Sequence, residues 1–210
     1  MARSKIKFSD ESAILEAAHL LKSGQVIVFP TETVYGLGAD AANPSAIDKI
    51  FQIKGRQKNQ PLQILVENIS SAQKLAIFNQ RAKLLAEHFW PGPLTLVLPR
   101  TANCPVPRSV SLGGDTIGIR IPAHDTALKL LRLFGKPLAS TSANFSGKES
   151  SVNASEAANS IGNLVPFIID GGRCSLGVAS TVVSLVDDEM RILRAGAISE
   201  NELLDAIGAF

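Results

Sequence analysis

Cysteine is nearly absent. Cys104 and Cys174 are the only two in 210 residues, far apart and outside any metal-ligand spacing. At most one disulfide is available, and a reduced cytoplasmic setting fits better. No apolar run approaches the ~20 residues needed to cross a bilayer. The basic start, Met1 to Lys7, has no apolar stretch behind it, so neither a membrane span nor a secretory signal is expected. The net charge is only +2, too little by itself to indicate a nucleic-acid binder. A local basic cleft remains open, from Lys49, Lys54, Arg56 and Lys58 together with Arg120 and Arg194. The three histidines, His19, His88 and His124, show no pairing with a nucleophile, and no Gly-x-Ser-x-Gly elbow occurs. No Gly-Lys-Ser/Thr ending marks a Walker loop. No metal cage is visible, so no dedicated protein metal site is expected; a metal ion would arrive with a phosphate ligand.

What the chain does have is ordinary globular stock, 45% hydrophobic and 19% charged. Neither a repeat nor a long linker divides it, and residues 1–210 read as one domain. Ser9 or Asp10 can cap a helix to about Lys22, with Ile14, Leu15, Ala18 and Leu21 at helical spacing. Val26–Phe29 reads as a buried strand stopped by Pro30. Asn43-Pro44 is a cap followed by proline at the first helical position. Further helices are expected over Ser70–Phe78, Gln80–Phe89, His124–Phe134, Ala154–Ile161 and Glu200–Ile207, the last capped by Ser199. Strands are expected at Leu62–Val66, Leu94–Leu98, Thr116–Arg120, Pro137–Ser140, Pro166–Asp170, Ser180–Val186 and Met190–Leu193. This irregular alternation indicates an α/β or α+β domain built on a mixed sheet.

Three stretches carry the polar chemistry. In Thr31 to Gly38, two hydroxyls precede Gly36 and Gly38, which read as a turn that lets backbone approach a ligand. The same stretch can equally be a tight loop whose threonines bond their own backbone. Lys54 and Arg56 are two apart, so on an extended segment both point one way and suit a polyphosphate. The plainer reading is a solvated helix end. Ser140, Ser142 and Asn144 alternate after a short strand and share a face if extended, where they can hold a phosphate or carboxylate, or form a polar turn. Arg120 and Arg194 each end an apolar strand, where an anionic partner is expected, either substrate or internal carboxylate. Trp90-Pro91-Gly92-Pro93 reads as a packed corner.

In this order, the segments resemble the YrdC-like family of threonylcarbamoyl-AMP synthases. The resemblance rests on Pro30-Thr31-Glu32-Thr33-Val34-Tyr35-Gly36-Leu37-Gly38, Lys54-Gly55-Arg56, Trp90-Pro91-Gly92-Pro93-Leu94-Thr95 and Gly118-Ile119-Arg120-Ile121-Pro122. It continues through Ser140-Thr141-Ser142-Ala143-Asn144-Phe145-Ser146-Gly147, Ser180-Thr181-Val182-Val183 and Leu193-Arg194-Ala195-Gly196-Ala197-Ile198. Each motif alone is weak, whereas the ordered set is specific.

The resemblance implies a twisted mixed sheet flanked by helices around a concave basic cavity. It implies a nucleotidyl transfer in which L-threonine, bicarbonate and ATP with Mg²⁺ give threonylcarbamoyl-AMP and pyrophosphate, for threonylcarbamoyl-adenosine at position 37 of tRNA. By motif match, Lys54, Arg56, Ser142 and Asn144 are the catalytic set at the ATP phosphates. Thr33, Arg120, Ser140 and Ser180 are expected around threonine, with Arg120 on its carboxylate. Gln60, Thr116, Ser150 and Arg194 are expected around the nucleotide. Gln57 and Gln60 stand where members often carry proline and asparagine, and Leu65 where some place a histidine. The longer relatives add a C-terminal domain that this sequence does not show, which implies separate transferase proteins and a tRNA contact. Two other functions fit parts of the pattern: a double-stranded RNA or tRNA-binding module without chemistry, and a paralogue with another acyl-adenylate substrate. Ser146 to Asn153 is a candidate moving segment.

Overall fold

The computed structural model describes residues 5–55, 60–187 and 189–208. Its helices begin where short polar side chains can satisfy free backbone N–H groups. Asp10 accepts from Ala13 N at 2.7 Å and starts α1, Glu11–Lys22. Asn43 caps α2, Pro44–Lys54, with proline at its start. Asn68 caps the short α3, Ile69–Gln73, and Asn79 caps α4, Gln80–Phe89. The helix α5, Asp125–Phe134, starts at His124 without a side-chain cap. Asn153 caps α6, Ala154–Ile161, and Ser199 with Glu202 forms a capping box on α7, Glu200–Ile207.

The strands are β1 (Lys5–Phe8), β2 (Ile27–Phe29), β3 (Gly36–Asp40), β4 (Gln63–Leu65), β5 (Leu94–Pro99), β6 (Thr116–Arg120), β7 (Leu138–Ser142), β8 (Phe167–Asp170), β9 (Thr181–Ser184) and β10 (Arg191–Arg194). Among the described residues they form one sheet in the order β1-β8-β2-β3-β7-β4-β6-β5-β9-β10. Parallel pairs (β4 with β6, β5 with β9) sit beside antiparallel ones (β3 with β7, β5 with β6), so the sheet is mixed, as expected.

Side chains alternate across a strand, so register decides what each face carries. Ile64, Leu96, Ile119, Ala139 and Val183 point to one face and join the larger core with α2, α4, α6 and α7. The other face is divided. Ile27, Phe29, Leu65, Leu138, Phe167 and Ile169 pack under α1 and α5. Farther along the same face the rows change to Ser140, Gln63, Gly118 and Val97, which no described α-helix covers. Helix coverage of half a face therefore leaves a floor of small and polar side chains.

Several boundaries differ from the sequence reading. The strands β1 and β3 were not expected. Gly36 and Gly38 are not a ligand-approach turn; they lie inside β3, paired with both β2 and β7. Their missing side chains make room for the Phe29 ring. A Cβ on Gly38 would stand 2.6 Å from Phe29 Cε1, and one on Gly36 would stand 3.0 Å from Phe29 Cζ. The helix expected to Phe78 stops at Gln73, and Ala76 bridges to Arg100 instead. Within α5, Leu128 is half-buried, while Leu130 and Leu131 are fully buried.

Gly38→Ala should lower stability by about 1–3 kcal/mol through overpacking, roughly 2–4 °C in Tm per kcal/mol. In a Phe29→Leu background the same change should cost clearly less. Purely additive losses in thermal unfolding would refute the ring-over-glycine account.

Candidate active site

The uncovered floor is the base of a cavity of about 560 Å³, a volume typical of small-molecule sites. Thr33, Gln60, Thr116, Arg120, Ser140, Ser142, Ser150, Ser180 and Arg194 all line it. They come from six separate parts of the chain and meet only because the sheet order interleaves them.

Arg120 lies at the deep end, 2% exposed. Its Nε donates to Gly92 O at 3.1 Å and its Nη2 donates to Thr33 Oγ1 at 3.0 Å. Nη2 also sits 2.8 Å from Glu32 Oε1, an ionic contact without hydrogen-bond alignment, since neither Glu32 oxygen has a hydrogen-bond partner. Its anionic partner is thus an internal carboxylate. Burial lowers the Arg120 pKa and the Glu32 charge opposes that shift. Nη1 is left without a partner among the described residues, and the Arg120 side chain lines the cavity. The Trp90 to Pro93 corner does more than pack, because it supplies the carbonyl that holds this guanidinium.

Ser140 is 1% exposed and its Oγ has no hydrogen-bond partner among the described residues, although it lies in the cavity wall. A buried hydroxyl left unmatched costs free energy unless a ligand or water meets it. Thr33 Oγ1 is 2.9 Å from Thr31 Oγ1, and Thr31 donates to Val34 O at 2.7 Å. The threonines therefore bond locally: Thr33 Oγ1 donates to Thr31 and accepts from Arg120, while the residue itself lies in the cavity wall.

At the opposite end, Arg194 is aimed by a bulge. Register slips between Ile192 and Arg194 on β10, so Leu193 and Arg194 both reach the cavity. Arg194 donates to Ser180 O from Nε (3.1 Å) and Nη2 (2.8 Å), and to Ser180 Oγ at 2.9 Å. Among the described residues it has no carboxylate partner, so of the two partners expected for it, substrate or internal carboxylate, the internal one is not met. Burial, then the Arg120 charge, lower its pKa, so both cations act on one cavity.

Lys54 departs from its expected placement. It is not on an extended segment past the helix; it is the last residue of α2, followed by Gly55 in the left-handed region. It is 3% exposed, which overturns the solvated-end reading. Its Nζ donates to Ser142 O at 2.7 Å and to Asn144 Oδ1 at 2.9 Å. Asn144 uses its amide on Phe145 O (3.1 Å) and Lys148 O (2.6 Å). Neither side chain lines the cavity; they brace Ser142 and the loop after β7. Arg56 lies outside the described residues. The segment Ser146 to Asn153 is tethered, by Asn144 to Lys148 O and by Ser151 Oγ to Ala143 O at 2.9 Å.

The family model Sua5_yciO_yrdC, described as telomere recombination, matches residues 19–196. The chain belongs to this family. It is 42% identical over 200 residues to the threonylcarbamoyl-AMP synthase of Pyrococcus abyssi, covering 95% of this chain and 58% of that relative. It is also 42% identical over 201 residues to the threonylcarbamoyl-AMP synthase of Bacillus subtilis, again 58% of that relative's length. The crystal structure of P. abyssi Sua5 complexed with L-threonine superposes with a TM-score of 0.91 at 41% identity, over 99% of this chain and 61% of that one. The chain thus spans a little under three-fifths of these curated relatives. The twisted mixed sheet with flanking helices is that of the family.

Two cavity residues, Gln63 and Thr95, received no role in the sequence reading, and neither did Glu32, whose place beside Arg120 needs the fold. Leu65, where a histidine was considered, is fully buried under α1 and α5 on the row of Arg120. The cysteines are unpaired. Among the described residues no cluster of three or more His, Cys, Asp or Glu could hold a metal ion. No described helix is long and apolar enough to cross a membrane.

Asn144→Ala should destabilise the protein by about 1–3 kcal/mol, because the buried Lys54 ammonium loses an acceptor. Urea unfolding with an unchanged midpoint would contradict the bracing role. His124 gives a pH test. Burial pushes its imidazole below the ordinary range, against smaller pulls from Glu32 and Asp125. The unfolded chain then binds the proton more tightly. The stability from neutral His124 is present above about pH 6.5 and is lost as pH falls through the lower folded pKa. His124→Asn should flatten the fall in stability below about pH 6.5, measured by urea unfolding at stepped pH; parallel profiles would show that His124 does not contribute.

Proposed function

We propose that this chain is an L-threonylcarbamoyl-AMP synthase. Threonine's amine combines with bicarbonate to give a carbamate and water. A carbamate oxygen then attacks the α-phosphorus of MgATP, forming threonylcarbamoyl-AMP and releasing pyrophosphate. The observation that carries this reading is the deep end of the cavity, where the Arg120 side chain and the Ser140 hydroxyl, unpartnered among the described residues, line one space. A fixed cation beside hydroxyl groups suits the carboxylate and side-chain oxygen of a hydroxy amino acid.

The nucleophile is a substrate atom, so the protein needs no serine-histidine pair. What it must supply is alignment and a donor-rich wall where negative charge develops. Ser142, Thr116, Ser150, Gln60 and Arg194 extend the cavity from the threonine end and are proposed to take the nucleotide. Arg56 is proposed as a phosphate contact by motif alone. Lys54 and Asn144 hold the Ser142 backbone in place rather than reaching the cavity. Residues 1–210 act as one YrdC-like unit in the cytoplasm. The product serves threonylcarbamoyl-adenosine formation in tRNA through separate transferase proteins.

Incubation with ATP, Mg²⁺, bicarbonate and L-threonine should yield threonylcarbamoyl-AMP by mass spectrometry, with L-serine as the control amino acid. Ser140→Ala should raise the KM for threonine about 2- to 10-fold with the KM for ATP nearly unchanged, and Arg56→Ala should abolish product. Steeply salt-dependent RNA binding with no ATP affinity would instead support a binding module.

A further inference from the structure

Gln63 has the chemistry of a substrate contact. It pairs in register with Ser140 on one side and Gly118 on the other, in the middle of the floor. Gly118 has no side chain, so the Gln63 carboxamide crosses β6 and reaches Thr95 on β5. Thr95 Oγ1 lies 2.9 Å from Gln63 Oε1 and 2.9 Å from Ser180 Oγ. Ser180 Oγ accepts from Arg194 Nη2 at 2.9 Å.

The direction of this chain follows from what each group can do. A guanidinium only donates, so Ser180 Oγ is an acceptor toward Arg194. If Thr95 also donated to Ser180, the Ser180 proton would have no acceptor at a residue 2% exposed, and it would carry the full desolvation penalty. The opposite direction matches every group. Arg194 donates to Ser180, Ser180 to Thr95, and Thr95 to Gln63 Oε1. The amide oxygen is thereby used and the amide orientation fixed. Nε2, with two N–H groups, has no protein partner among the described residues and lies in the cavity lining.

We propose that Gln63 is a substrate-binding donor locked by this relay, which holds an acceptor oxygen between the Arg120 end and the Arg194 end of the cavity. The inference rests on the synthase reading, under which that oxygen belongs to the carbamoyl group or the α-phosphate at the point of bond formation.

The test uses Gln63→Glu, Thr95→Val and Thr95→Ser with steady-state kinetics for both substrates. Glutamate still accepts from Thr95 but turns an anionic acceptor to the cavity. Gln63→Glu should cut kcat/KM about 10- to 100-fold. The loss falls mainly on threonine if the carbamoyl oxygen is held, and mainly on ATP if a phosphate oxygen is. Thr95→Val, which cuts the relay, should lose about 3- to 10-fold, and Thr95→Ser should restore activity. Wild-type kinetics in Gln63→Glu, or equal losses in both Thr95 variants, would overturn the proposal. A wild-type chain that makes no product would refute the synthase reading without deciding this one. The Gln63 side-chain NH₂ signals in a ¹⁵N spectrum then decide it. A shift on adding ATP or threonine, lost in Thr95→Val, supports the donor; no shift with either ligand sinks it.

Discussion

Putting a guanidinium at the end of a central strand creates a debt of desolvation that the surrounding chain must offset. Arg120 is almost fully buried, and an arginine there is stable only if its donors are matched and its charge opposed. The Trp90 to Pro93 corner contributes the Gly92 carbonyl, the loop after β2 contributes Thr33, and Glu32 contributes the opposing charge. Those segments are far apart in sequence, so satisfying one cation fixes how three elements meet. The side chain also lines the cavity, and the constraint that organises the deep end equips it to bind an anion.

Lys54 solves the same problem differently. Its ammonium donates to the Ser142 carbonyl and to the Asn144 amide oxygen. The result is a cation that shapes the loop after β7 from behind. A positive charge close beneath a wall of hydroxyls still raises the local potential for anions, because screening is weak in a buried site. Arg120, Arg194 and Lys54 therefore make a basic cavity in a chain whose net charge is only +2. The sum over the sequence was a poor guide because it does not show that three cations gather at one site, where Glu32 opposes Arg120.

The legible parts of the sequence were those with local causes. Asn43-Pro44 and Ser199 each announce a helix start because capping depends on a few adjacent atoms. Ser140 and Ser142 were placed on one face because alternation in a strand is a local rule. What failed had non-local causes. Gly36-Leu37-Gly38 is poor strand material by propensity, yet it forms a central strand because the Phe29 ring fills the space its side chains leave. Lys54 seemed solvated because nothing near it in sequence shows β7 lying against the end of α2. Gln63 looked like any polar residue on a short strand, since its partner Thr95 is two strands away.

On the proposed reaction the cavity needs no strong nucleophile of its own. A reaction that joins two bound substrates needs the attacking oxygen and the phosphorus held in line, and a protein nucleophile would divert the phosphoryl group onto the enzyme. A wall of hydroxyls, amides and arginines stabilises charge without competing for the electrophile. The orientation of such a wall matters more than its basicity. The relay from Arg194 through Ser180 and Thr95 turns a freely rotating carboxamide into a donor of fixed direction. An amide that needs no reorientation when charge develops costs less at the transition state than one that must turn toward it. The cationic end of the cavity thus sets the polarity of its floor across three strands, which ties recognition at one end to alignment at the centre.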